Sequence, residues 1–297
     1  MKLPRISAVA AAAVAAVGLA ACGSSSGGGT PGGGAAGGAT GGASSAAGGG
    51  GAAASGPVKI GIKFDQPGLG LKEGANYTGF DVEVAKYVAK ELGYKDSDVT
   101  FVEAVSSQRE TLISTGQVKY IVGTYSITDA RKEKVSFAGP YFIAGQDLLV
   151  RADDASITGP DALAGKKLCS VKGSTSAQNV QKTYPTVQLQ EYNTYTLCVD
   201  ALKAKSVDAL TTDNTILAGY AAQEANKGKL KVVGKTFSTE NYGIGLKKGD
   251  TDFCTKVTAA LNKMIKDGSW KKFVDASLGP AGFKPDAKNP PTPATCS

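Results

Sequence analysis

Between Gly23 and Gly56 the chain carries no charge and no aromatic ring, only Gly, Ala, Ser and Thr with a single proline. Such a stretch cannot bury enough apolar surface to offset the entropy of ordering it, so folding is confined to the residues beyond Gly56. The run reads as a flexible tether. From Pro57 to Ser297 there remain about 240 residues, enough for one large domain or two smaller lobes.

Ahead of the tether, Lys2 and Arg5 precede an apolar Ala/Val/Leu/Gly stretch from Ile6 to Ala21, in which Ser7 is the only polar side chain. A charged segment followed by an apolar one is the order of a secretory signal. At about 16 residues the stretch is short for a membrane span, which needs about 20. It ends in Leu19-Ala20-Ala21-Cys22-Gly23, which resembles a bacterial lipobox. That resemblance implies a signal peptide over 1–21 and a lipid-modified (palmitate) Cys22 opening a tether over 22–56. The protein is then expected on the extracytoplasmic face of the cell membrane, anchored by lipid.

The formal charge of +7 is spread along the chain without a basic cluster, which argues against a nucleic-acid partner. There is no histidine and no C-x-x-C pair, so neither zinc, another metal nor a cofactor is expected. Besides Cys22 the cysteines are Cys169, Cys198, Cys254 and Cys296, an even number in an exported chain, consistent with two disulfides. Three pairings are possible. Cys169 with Cys198 and Cys254 with Cys296 is favoured, because each joins neighbours in one region of sequence.

Through the folded part strands and helices alternate, the mark of an α/β fold. Strands are expected at 58–62, 100–103, 118–123 and 146–151, then 167–171, 187–191, 207–211, 230–233 and 242–246. Helices are expected at 79–92, where Phe80, Val84, Val88 and Leu92 form one apolar stripe, and at 107–116. Others follow at 174–184, 197–205, 214–226, 251–266 and 270–278. Thr78 and Asp81 have the spacing of a capping box, with Asp81 on the helix surface. The Pro- and Lys-rich end reads as an exposed tail pinned through Cys296.

Four loops follow predicted strands and carry polar groups: Lys63-Phe64-Asp65, Thr124 to Arg131, Lys172 to Ser176, and Thr212-Asp213-Asn214. Ligands of open α/β sheets lie at such loops, near helix N-termini. A free amino acid needs a guanidinium and backbone N–H groups for its α-carboxylate, and a carboxylate with further oxygens for its ammonium. Arg131 with Ser174 to Ser176 suits the first task. Asp213 with Ser126 or the backbone of Thr124 suits the second.

Gly79-Phe80-Asp81-Val82-Glu83-Val84, Ser126-Ile127-Thr128-Asp129-Ala130-Arg131-Lys132 with Val135 to Tyr141, and Gly268-Ser269-Trp270 together resemble the polar amino acid class of bacterial extracellular solute-binding proteins, family 3. Ile60 to Gly68 and Gln108 to Ile113 are similar to the glutamate-binding lipoproteins of actinobacterial importers within it. The resemblance implies a two-lobed, periplasmic-binding-protein-like (type II) fold with two hinge crossings. Lobe one would be 57–151 plus 237–297, and lobe two 152–236. It implies a monomer that captures a polar amino acid, glutamate first, and passes it to an ABC permease and its ATPase.

Carried over by position, Arg131 would hold the α-carboxylate and Asp213 the ammonium, with Thr124, Ser126, Ser174 and Thr175 completing the cage. Phe64 and Tyr125 are candidates for an aromatic wall, and Arg109 and Lys63 for the distal carboxylate. Some acidic binders use a histidine in lobe two; here Lys172 or hydroxyls would stand in, glutamine is the main rival ligand with aspartate and asparagine behind it, and a ligand-sensing lipoprotein is the rival role. Catalysis is not expected, since histidine, the usual general acid or base, is missing.

Overall fold

The computed structural model describes residues 56–297; the signal segment, Cys22 and the tether lie outside the described residues. The first stretch runs β1 (Val58–Ile62), β2 (Asp65–Gln66), β3 (Gly70–Glu73), β4 (Asn76–Thr78), α1 (Phe80–Glu91) and β5 (Val99–Glu103). It continues with α2 (Arg109–Ser114), β6 (Tyr120–Ile121), α3 (Asp129–Lys132) and β7 (Val135–Ala144). Next come β8 (Gln146–Arg151), β9 (Lys167–Val171), α4 (Thr175–Thr183), β10 (Gln188–Tyr192) and α5 (Tyr195–Lys203). β11 (Ala209–Asp213), α6 (Asn214–Ala222) and β12 (Leu230–Val232) follow, and β13 (Glu240–Lys247), α7 (Thr251–Lys266) and α8 (Ser269–Ser277) complete the chain.

Two five-stranded sheets carry the architecture, ordered β5-β1-β6-β13-β7 and β10-β9-β11-β8-β12, with a small β2-β3-β4 sheet beside the first. Each large sheet mixes parallel strands with antiparallel ones: β13 runs against β6 and β7, and β8 against β11 and β12. The chain leaves the first sheet after Ala144 and returns to it at Glu240. This is the two-lobed type II α/β fold with two crossings. The crossings bond to each other, Gln146 N donating to Ser238 Oγ at 3.1 Å and Phe237 N to Gln146 O at 2.9 Å. β8, assigned to lobe one by the sequence boundary at 151, pairs instead with β11 and β12, so its backbone belongs to lobe two.

α1 buries its expected stripe, including Phe80, Val84 and Val88, against an aromatic cluster in lobe one. Phe142 stacks on both Tyr242 and Trp270, whose indole N–H donates to the Tyr141 carbonyl at 2.7 Å. The helix does not start with a capping box. Gly79 is the cap residue at φ 115°, and a Cβ there would collide with the Leu69 backbone. Only glycine fits that approach. Asp81, expected on the surface, is fully buried.

Disulfides join Cys169 of β9 to Cys198 of α5 and Cys254 of α7 to Cys296. The C-terminal tail is not a loose end. The Asn289 carboxamide pairs with both backbone groups of Ile143 at 2.8 Å, Ala294 bridges Gly139, and Ser297 exchanges bonds with Phe137. It covers the free edge of β7, an exposed row of backbone groups that would otherwise invite other strands.

Candidate ligand-binding site

The loop after β1 delivers Lys63, 2% exposed, whose ammonium donates to Ser106 Oγ at 3.0 Å. Burial pulls its pKa down to about 8. Phe64 follows it in the loop. Its ring packs 5.3 Å from Tyr77 and carries the Lys72 ammonium at 5.0 Å.

The loop after β6 turns at Thr124, whose φ of 44° is costly for a residue with a branched Cβ. Its N–H donates to Asp81 Oδ2 at 2.9 Å and its hydroxyl to Gln66 Oε1 at 3.2 Å. Asp81 Oδ1 accepts from the Tyr141 phenol at 2.7 Å. Burial lifts the Asp81 pKa to about 6, the bonds from Tyr141 and Thr124 opposing it. Thus Asp81 braces the strained loop from beneath, a role its helix-start position disguises.

Tyr125 is buried, and its ring lies 4.1 Å from the Arg109 guanidinium carbon and 5.1 Å from that of Arg131. It is a floor under two cations, held by the ring's negative face, and not an open wall. Arg109, also 2% exposed, opens α2 and donates through Nη1 to Gly123 O at 3.0 Å and toward Thr124 O at 3.4 Å. Its buried Nε has no partner among the described residues.

Arg131 lies in α3, which Thr128 caps. Nη1 donates to Ser126 O at 2.7 Å and Nη2 crosses to Gly173 O at 2.9 Å; Glu110 is the nearest carboxylate, at 3.6 Å. Burial, and then Arg109, pull its pKa down to about 10, so it is charged at any physiological pH. Gly173 is where the lobes nearly touch. A Cβ on it would stand 2.8 Å from Ser107 Cα, and its φ of 75° suits glycine alone.

From lobe two, Ser174 caps α4 by accepting from Ala177 N at 3.0 Å, so its hydroxyl is committed to the helix. Thr175 Oγ1 stands 3.4 Å from Ser126 Oγ and donates to Glu240 Oε2 at 2.8 Å. Lys172 is exposed. Asp213 precedes α6 but does not cap it. Its Oδ2 accepts from the Tyr242 phenol at 2.6 Å, while Oδ1 is buried with no partner among the described residues. Burial, then the neighbouring Glu240, raise the Asp213 pKa to about 8.

A family model for bacterial extracellular solute-binding proteins, family 3, matches residues 58–280. The chain belongs to that family. It is 48% identical over 236 residues to the glutamate-binding protein GluB of Corynebacterium efficiens, covering 76% of this chain and 80% of that protein. It is 39% identical over 205 residues to a glutamine-binding protein of Geobacillus stearothermophilus, 68% of this chain and 77% of that one. A solved structure of an ancestral arginine-binding protein bound to glutamine matches with a TM-score of 0.71 at 34% identity, covering 76% of this chain and 99% of that one.

In this solute-binding protein, cations gather on the lobe-one side, with Lys63, Arg109 and Arg131 around Tyr125 and the 123–126 loop. Asp213 of lobe two accepts from Tyr242, and Glu240, on the same strand as Tyr242, accepts from Thr175 of lobe two. Glu240 and Tyr242 escape notice in the sequence because they read as ordinary strand residues. Their separation by two places on β13, which turns both to one face, is the signal that could have found them. Among the described residues no group of His, Cys, Asp or Glu could hold a metal, and no helix is long and apolar enough to cross a membrane.

Proposed function

We propose that the protein captures glutamate between its lobes and delivers it to an ABC importer while tethered to the membrane by a lipid on Cys22. In this reading Arg131 and the start of α4 hold the α-carboxylate, and Asp213 with Ser126 and Thr175 receives the ammonium. Lobe two is taken as β8 through β12, lobe one as the rest. The observation that carries the acidic ligand is the pair Lys63 and Arg109. Both are buried cations, and neither forms an ion pair among the described residues. Buried charge without a partner is costly, and a ligand's distal carboxylate would relieve it. The GluB relative supports the same choice.

Glutamine is the second reading, supported by the glutamine-binding relative. Calorimetry with glutamate, glutamine, aspartate and asparagine on ligand-stripped protein separates the two. Glutamate is expected to bind tightest, and Arg109→Ala to weaken glutamate about thirtyfold or more while sparing glutamine, the scale of a lost charged hydrogen bond. Glutamine binding tighter than glutamate would move the assignment to the amide. A chain that binds none of the four would sink the amino-acid reading.

A further inference from the structure

Asp65 begins β2, in the loop that leaves β1 of lobe one. Its carboxylate is close enough to favour the charged form of Lys63, but its hydrogen bonds reach across to lobe two. Helix α5 starts after Thr194, whose side chain makes no cap bond, so the first N–H groups of α5 lack their usual local acceptor. Asp65 Oδ2 supplies it, accepting from Tyr195 N at 2.8 Å with Thr196 N at 3.5 Å. A negative charge at a helix N-terminus is favourable both as a cap and against the helix dipole. The Tyr220 phenol of α6 donates to the Asp65 carbonyl and stands 3.3 Å from the same carboxylate oxygen. Thr196 Oγ1 lies 3.0 Å from that phenol. Alongside, a Cβ on Gly219 of α6 would collide with the Pro67 carbonyl, so the two lobes are in close contact here as well.

We propose that Asp65 is a positioning residue, a cap supplied to α5 by the opposite lobe, which holds the lobe-two half of the site against the lobe-one half. It works through Tyr195, the first residue of α5. The Tyr195 backbone is fixed by Asp65, and its buried phenol faces Ser174 and Thr212, beside Asp213. Opening the lobes would strip the cap from α5 and the donor from Asp65 together. Affinity then depends on a contact that touches no ligand atom. The inference rests on the glutamate-capture reading of the cleft.

The test uses the full chain and its Asp65→Ala, Asp65→Asn and Tyr220→Phe variants, singly and with Asp65→Ala and Tyr220→Phe combined. Stopped-flow measures glutamate association and dissociation, and small-angle scattering measures the radius of gyration without ligand. Asp65→Ala is expected to speed dissociation about five- to tenfold, the worth of one helix cap. Association should be unchanged and the ligand-free radius larger. Asp65→Asn, which keeps a capping oxygen but no charge, should stay near wild type, and that separates the cap from any field at Lys63. The combined variant should dissociate faster than Asp65→Ala alone, because the Tyr220 phenol still has the Asp65 carbonyl to donate to in that variant. Unchanged dissociation and radius in Asp65→Ala, or an equal loss in Asp65→Asn, overturns the proposal. If the wild-type chain binds no glutamate, the capture reading fails, while the radius comparison still decides the latch.

Discussion

Affinity for an amino acid should fall with pH in step with the protons that Asp213 takes up. Burial, and then the negative charge of Glu240, two places from Tyr242 on β13, hold this carboxyl near pKa 8. The Tyr242 phenol, Arg131 from α3 and Arg109 from α2 pull the other way, with Tyr195 of α5 and Thr215 of α6 also close by. An ammonium needs the ionised form. With a pKa of about 8, the ionised fraction is roughly one quarter at pH 7.5 and one hundredth at pH 6. Apparent affinity should therefore drop about twentyfold between those values, ~1.8 kcal/mol. Lys63, at about 8, is mostly charged throughout this window and adds little slope.

Calorimetry in two buffers of different ionisation heat counts the protons directly. Nearly one should be released per ligand at pH 6.5, and Asp213→Asn should bind weakly with no slope. A flat affinity from pH 6 to 7.5 with no proton release would falsify the assignment of Asp213 to the ammonium. Folding carries the matching sign. The folded protein holds a proton on Asp213 that the unfolded chain has lost above about pH 4, so this group's contribution falls as pH rises toward 8. The ligand-free thermal midpoint should be lower at pH 8 than at pH 5.5, and Asp81 contributes in the same direction.

Arg131→Ala should abolish binding of every amino acid by calorimetry, a loss of at least a hundredfold, because it removes the bidentate group and the contact to Gly173. Gly79→Ala forces a Cβ into the Leu69 backbone and should lower the thermal midpoint by several degrees, if it folds at all. Removing Cys254–Cys296, which closes a span of 42 residues, should cost about 4 kcal/mol in the chain-entropy model and be read as a lower denaturation midpoint. Loss of tail protection in hydrogen exchange should accompany it.

Much of this fold is written in local patterns. α7 and β9 fall at the residues where periodicity predicts them, because each carries a regular apolar pattern between clear breaks. β7 is harder. Gly139-Pro140 argues against a continuous strand, yet the strand persists because it lies at the sheet edge, where proline need not donate to a ladder. The tail that covers it gives no periodic signal, since its pairing comes from one asparagine and two bridges far along the chain. Loop position and charge single out Arg131, Asp213 and the α4 start, and the structure sets Arg131 on Gly173 just ahead of α4, with its charge felt at Asp213. Asp81 cannot, because a carboxylate in a first helical turn is normally a surface group. Nothing local to Phe64 indicates that Tyr77 and Lys72 pack on its ring.

The first sheet has a further consequence for how the protein is made. Its strand β13 lies between β6 and β7, yet it is about 120 residues later than β6 in the chain. Lobe two, from β8 to β12, is one unbroken segment. A chain that emerges N-terminus first can therefore finish its middle before its beginning. Until Glu240–Lys247 arrives, β6 and β7 have no strand between them, and the first lobe must wait as an open half-sheet for the polypeptide to come back.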